Sequence, residues 1–209
     1  MMRELASIEL VRDERTGEGG HLALRRLRVR LVFSDGTKTK EGSWDFVERA
    51  MGLDAVVVVI WRRGVQAVEV LLRAGVRVPL HFGRPEKPQS MVFPELVAGI
   101  VEPGDVLEER AADEAREEAG LVVTGLVRLG PPMFPTPGMC AEMFHFVAAE
   151  VAPDAAMEPA GGDGSVFEEG ARLEWLTLHE ALRRCGSGEI QDLKTEVGLR
   201  RLKDALGAT

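Results

Sequence analysis

The hydrophobic period changes repeatedly along the chain, and each change marks an element. Residues 55–61, AVVVVIW, form a continuous β-branched run, the composition of a strand buried on both faces. Arg62, Arg63 and Gly64 turn the chain, and residues 65–72 return as a second strand. Upstream, residues 5–11, 22–33 and 43–49 read as three strands, separated by RTGEGG at 15–20 and SDGTK at 34–38. Asp-Gly favours a tight turn. Three strands alone are barely stable, so this piece must pack on something: it extends the main sheet or meets a second copy. Residues 73–89, rich in Gly, Pro and basic side chains, read as a surface loop, and 91–98 as a strand. In the stretch GIVEPGDVLEERAADEAREEAGL, 99–121, a turn containing Gly99 leads into about four helical turns, which Gly120 stops. Ala111, Ala112, Ala115 and Ala119 give that helix a small-residue stripe for close packing. Strands follow at 122–129 and 142–151, then an acidic Gly/Ala-rich loop at 153–170. A short strand at 172–178, a short helix at 178–185 and a last helix from about 191 close the chain. This order predicts a mixed α/β layer arrangement.

The central helix also carries candidate chemistry. Glu114, Glu117 and Glu118 are spaced i, i+3 and i+4, which places them within an arc of about 100° on one side. Like charges at that spacing weaken an isolated helix. A cation on that face removes the penalty, and hard carboxylate oxygens with room for water suit Mg²⁺ or Mn²⁺. On the acids alone, a solvated charged face is the commoner outcome.

Composition narrows the field. The 209 residues suffice for one sizeable domain plus an accessory element, with ordinary apolar (45%) and charged (29%) content. A net charge of −8 argues against nucleic acid or an anionic membrane as the main partner, and an acidic protein acting on an anion needs metal ions as intermediaries. No apolar run approaches membrane-span length, and the first residues lack a basic-then-apolar signal pattern. Cys140 and Cys185 have no metal-ligand spacing, so a cytoplasmic protein with reduced thiols is expected.

The 99–121 stretch resembles the Nudix box, G-x5-E-x7-R-E-U-x-E-E-x-G-U, where U is aliphatic. Gly99, Glu114, Glu117, Glu118, Gly120 and Leu121 match in register. Asp105 stands in place of Glu, Ala115 at an aliphatic position, and Asp113 in place of Arg, which reverses a charge. The resemblance implies a Nudix α/β/α sandwich built on a mixed sheet, here with a small N-terminal antiparallel β domain. The expected division is residues 1–50, a dimerisation domain, and residues 51–209, the Nudix domain.

Further segments resemble the ADP-ribose pyrophosphatase subgroup, a likeness shared with hydrolases of other nucleoside diphosphate sugars. They are MVFPELVAG at 91–99, the post-box proline loop FPTPGMCAE at 134–142, and FEEGARLEWLTLHEAL at 167–182. The resemblance implies metal ligation by Glu114 and Glu118, with Glu117 ligating or orienting and the Ala98 carbonyl completing the site. Mg²⁺ is the implied cofactor, with Mn²⁺ an alternative. It further implies substrate contacts from Arg77, Glu95, Pro137, Gly138 and Glu142, and a catalytic base at Glu168 or Glu169. On their residues alone, Arg77 is equally a solvated loop arginine and Glu95 a strand-end acid. The implied partners are a nucleotide-sugar substrate and a second copy of the chain. Two alternatives stand beside this: a UDP- or GDP-sugar hydrolase, and a Nudix module that binds a nucleotide without cutting it. With arginine missing at 113, electrostatic support for the box acids must come from elsewhere. Arg110 and Arg116 lie at pairing distance along the helix.

Overall fold

A computed structural model of the chain describes residues 5–17, 19–49, 53–86, 90, 92–158 and 171–207. It separates into two compact units. One is Met1–Leu53 together with Thr136–Glu142; the other is Asp54–Pro135 together with Met143–Thr209.

The first unit is an antiparallel meander of β1 (Leu5–Thr16), β2 (Leu22–Phe33) and β3 (Gly42–Arg49). β1 runs five residues past the expected end at 11 and takes up the start of the expected turn at 15–20. Cross-strand charge pairs hold that extension: Arg25 bridges Asp13 at 2.6 Å and Glu48 at 2.7 Å, and Arg15 reaches Glu48 at 2.8 Å. Directly opposed residues share a face. Ile8 stands opposite Leu31, Leu10 opposite Val29 and Trp44 opposite Leu27, so these six line one apolar face. The Thr136–Glu142 segment belongs here by its hydrogen bonds. Val47 N donates to Met139 O at 2.8 Å, Trp44 Nε1 donates to Gly138 O at 3.3 Å, and Arg49 pairs with Glu142.

The second unit is a mixed sheet between helices. Its strands are β4 (Asp54–Arg63), β5 (Val68–Val76), β6 (Val92–Glu95), β7 (Val97–Val101), β8 (Val123–Arg128), β9 (Phe144–Val151) and β10 (Arg172–Thr177). The path is β10-β5-β4-β9-β8, with β6 on β5 and β7 on β4; β4 and β9 run parallel and the other pairs antiparallel. The helices are α1 (Val78–Phe82), α2 (Leu107–Ala119), α3 (Leu178–Ser187) and α4 (Leu193–Ala205).

β4 shows why the β-branched run was needed. Val57, Val59 and Trp61 pack with Leu178, Ala181, Leu199 and Leu202 of α3 and α4. Val56, Val58 and Ile60 pack with Ala111, Ala115 and Ala119 of α2. A strand alternates sides at every residue, so one covered on both faces has no polar position to offer. The structure thus has the expected sandwich, a mixed sheet with helices on both faces.

Three local expectations are corrected. The second strand is Val68–Val76 rather than 65–72, because the turn after β4 extends through Ala67; Arg73 therefore lies in a strand, not a loop. The presumed loop at 73–89 contains α1, started by Pro79 in its first turn. The strand expected over 91–98 breaks at Leu96, and its second half, β7, runs through Gly99 to Val101. Gly99 is thus a strand residue opposite Val56, and the turn before the helix lies at 102–106.

Candidate active site

The sequence folds the acidic stretch so that one carboxylate is buried and two remain near solvent. Ala111, Ala115 and Ala119 lay α2 close against β4 and β9, and Gly120 ends it in the left-handed conformation (φ 63°). That close approach carries Glu114 inward to 4% exposure, while Glu117 and Glu118 stay partly exposed. The Glu114 carboxylate lies directly against Gly99 of β7. A Cβ built there would overlap its Oε1, Cδ and Cγ atoms, so no residue with a side chain fits without displacing it.

Burial pushes the Glu114 carboxyl up to about 7, with Glu118 and Glu117 adding to the rise and the Arg110 guanidinium opposing it. Arg110, one turn earlier on α2, is the cation that holds this face together. It pairs with Glu114 through Nη2, reaches Glu117 from Nη1 at 3.4 Å, and donates from Nε to the Ile100 carbonyl at 3.2 Å. Arg73 approaches Glu118 at 3.9 Å from β5. Asp113, at the box arginine position, instead points outward and pairs with Arg116 at 2.8 Å. The charge reversal is thus accommodated: the outward pair neutralises Asp113, and Arg110 supplies a guanidinium to the box acids. Asp105, the shorter replacement for Glu, accepts from Glu102 N at 2.8 Å and closes the turn before α2.

The donor set fits a divalent cation. Three carboxylates share one helix face, one of them desolvated beyond what a single guanidinium offsets, and all are hard oxygen donors. Ala98, whose carbonyl was the further expected ligand, immediately precedes Gly99 in β7. Among the described residues, no three acidic, His or Cys side chains enclose a common cation position as they stand. Glu114 and Glu118 lie against Arg110 and Arg73 respectively, so a cation would take over contacts these arginines now make.

The other expected residues fall in three places. Arg77 and Glu95 meet: Arg77 Nε donates to Glu95 Oε1 at 2.6 Å. Pro137, Gly138 and Glu142 belong to the unit containing β1–β3, where Glu142 is paired with Arg49. Glu168 and Glu169 lie outside the described residues. Sequence reasoning missed Arg73, which it had placed in a loop, and Lys194, Asp192 and Thr195 at the start of α4. Of these only Asp192 carried a local signal, as an acceptor just ahead of a helical run.

Comparison with known proteins agrees with this geometry. Residues 52–195 match the family model described as the NUDIX domain. The chain is 37% identical over 135 residues to the ADP-ribose pyrophosphatase of Haemophilus influenzae, a match covering 64% of this chain and 60% of that relative. The fold resembles a crystal structure titled ADP compounds hydrolase, with a TM-score of 0.73 and 17% identity over 99% of this chain and 97% of the other. With the family model spanning most of the sequence and the box helix set on the sheet as described, the chain belongs to the Nudix family.

Proposed function

We propose that the protein hydrolyses the pyrophosphate bond of ADP-ribose or a related nucleoside diphosphate sugar, giving a nucleoside monophosphate and a sugar phosphate. The observation that carries this reading is the carboxylate face of α2, with Glu114 buried against Gly99 and both Glu114 and Glu117 paired with Arg110. The name of the Haemophilus influenzae relative supplies the substrate class.

Glu114, Glu117 and Glu118 would hold Mg²⁺, or alternatively Mn²⁺, with the Ala98 carbonyl. When bound, such ions cancel phosphate charge and lower the pKa of a coordinated water. The chain's own residues supply the rest. Arg110 keeps the carboxylates on one face against their mutual repulsion. Arg77, anchored on Glu95, offers a cation to a phosphate oxygen. Glu168 or Glu169 would take the proton from the attacking water as the general base.

Asp113 raised the alternative of a module that binds without cutting. Its outward pairing with Arg116, and the presence of Arg110 on the inner face, favour the catalytic reading. The deciding experiment is a panel of ADP-, UDP- and GDP-sugars assayed with Mg²⁺ and Mn²⁺, with binding measured in parallel. Turnover of ADP-ribose with metal, abolished by a chelator, is expected. Preferential turnover of a UDP- or GDP-sugar changes the substrate, and tight binding without turnover replaces the enzyme by a sensor.

We further propose a homodimer built on the apolar face of the β1–β3 sheet, where Ile8, Leu10 and Trp44 are 60%, 56% and 59% exposed. A cytoplasmic setting is in keeping with the two free cysteines and with the described residues, none of whose helices is long and apolar enough to cross a membrane.

A further inference from the structure

The buried polar cluster between β6 and the first turn of α4 enters the chemistry above only through Arg77 and Glu95; Lys194, Asp192 and Thr195 have no role in it. The cluster's centre is Glu95, whose two oxygens are divided between two cations. Oε1 accepts from Arg77, with Nε and Nη2 both at 2.6 Å. Oε2 accepts from the Lys194 ammonium. Lys194, itself buried, donates a second bond to Asp192 Oδ2 at 2.9 Å. Asp192 caps α4, accepting from Thr195 N at 3.0 Å and Thr195 Oγ1 at 2.6 Å, and Thr195 Oγ1 accepts from Leu96 N at 2.8 Å. Two cations thus balance two anions across 99 residues of chain.

A clamp that only docked α4 on the sheet would not need ions. Buried ion pairs cost desolvation, and apolar side chains of similar volume often stabilise as well or better. What distinguishes this cluster is its uneven burial. Lys194 and Glu95 are almost fully enclosed, but the Arg77 side chain is 51% exposed. A guanidinium has five N–H donors in a rigid fork. Glu95 engages only the Nε and Nη2 positions, through one oxygen, so N–H donors remain on the exposed part of the fork.

Resting on the reading of Arg77 as a phosphate contact, we infer that Lys194 is a positioning residue for anion binding. Its ammonium holds Glu95 Oε2, which fixes the carboxylate and, through Oε1, the place at which the Arg77 guanidinium presents its remaining donors to a phosphate oxygen. Without Lys194, Glu95 is a buried carboxylate short of one counter-charge. The carboxylate is then free to turn, and the Arg77 guanidinium paired with it loses the fixed position from which its remaining donors meet a phosphate oxygen. Asp192 holds the ammonium from its other side, so α4 reaches the site through Lys194.

The test uses the full chain and two probes, inorganic pyrophosphate and ADP-ribose, titrated calorimetrically in the presence of EDTA so that no turnover intervenes. Lys194→Met should raise Kd for both probes by about tenfold, the scale of one charge-assisted hydrogen bond. In assays with metal it should raise KM with kcat within about twofold, because a purely binding contact is lost. In an Arg77→Ala background the same replacement should change neither Kd. A role in folding alone would lower the melting temperature in both backgrounds and leave the Kd values within twofold of their parents; that result overturns the inference. So does a wild-type protein that binds neither probe. If Lys194→Met does not fold, the double variant Lys194→Met/Glu95→Gln removes both buried charges together. With the anchor of Arg77 gone, it should bind pyrophosphate more weakly than wild type, and wild-type affinity in it overturns the inference. The coupling between Lys194 and Arg77 is read from binding, whereas the proposed reaction is read from turnover. Coupling without turnover defeats the reaction alone, and turnover without coupling defeats the inference alone.

Discussion

At the scale of single residues, the acid face of α2 gives the sharpest expectations. Replacing Glu118 with Gln keeps its shape and removes a charge from the face. Turnover should fall by on the order of 10² or more, comparable to losing a major electrostatic stabiliser, with the melting temperature little changed. Near-wild-type kcat in that variant removes Glu118 from the site. Gly99→Ala is a second probe, since Ala in an ordinary strand interior is favoured over Gly by roughly 0.5–1 kcal/mol. Here the new Cβ would overlap the Glu114 carboxylate, the end of a flexible side chain, which must swing out of its place against β7. Activity should therefore collapse by at least about 10² while the fold persists, the opposite of the stabilising trend. Asp113→Arg separates two accounts of the box departure. With Arg110 already on the inner face, the change should cost less than about 1 kcal/mol, the loss of the exposed Arg116 pair, and leave activity within a few-fold. Loss of metal affinity in a titration would instead make Asp113 a ligand. The register of the box was legible because it is local: fixed helical spacing and two glycines suffice to place the three acids. Lys194 was not, because its partner lies 99 residues away, and no sequence window connects a lysine at a helix start to a strand-end glutamate.

At the scale of elements, legibility followed how much of each element's reason is contained within it. β4 was readable from its β-branched run, since burial on both faces leaves no polar residue. The boundaries of β5 and β7 were not, because Val65 looks apolar yet stands in a turn, and Gly99 looks like a turn residue yet is needed for its lack of a side chain. α3 offers a test of an element held by its own charges. Thr177 caps it, accepting from Glu180 N at 3.1 Å, and Glu180 pairs with Arg183 at 2.7 Å and Arg184 at 2.9 Å. Hydrogen bonds from Arg183 and then Arg184 hold the Glu180 carboxyl well below its ordinary 4.5, at about 2. A carboxyl depressed on folding contributes stability that is present above its unfolded pKa and lost as pH falls through its folded one. The window is therefore about pH 4.5 down to about 2. Melting curves of wild type and Glu180→Gln should differ at pH 7 and converge as pH approaches 2, with the gap narrowing in high salt. A gap that does not depend on pH would assign the effect to packing.

At the scale of the whole molecule, the chain divides close to where the pattern of strands changes, but not along the sequence alone. Thr136–Glu142 leaves the second unit and joins the β1–β3 sheet through Val47 and Trp44. That could not be read in advance, because the segment is held through its backbone carbonyls and through Glu142 by a strand some ninety residues earlier. What the sequence did show was that three strands are too few to bury themselves. The structure gives that shortage a location. Along one face, Ile8–Leu31, Leu10–Val29 and Trp44–Leu27 stand as cross-strand pairs, and one member of each pair is more than half exposed. The opposite face carries Arg26, Arg28 and Arg30 with Asp45 and Glu41 among their partners, so the two faces differ sharply in polarity. Contiguous exposed apolar surface rimmed by charge marks an interaction site, and a two-fold pair of identical sheets is the commonest closed solution. The 209-residue protein should therefore scatter light as a dimer at micromolar concentration. Ile8→Asp/Leu10→Asp places charge at the centre of that face and should give a monomer, with the helical circular dichroism of the second unit unchanged. Should the wild type itself prove monomeric at that concentration, the apolar face serves some other contact and the dimer is withdrawn.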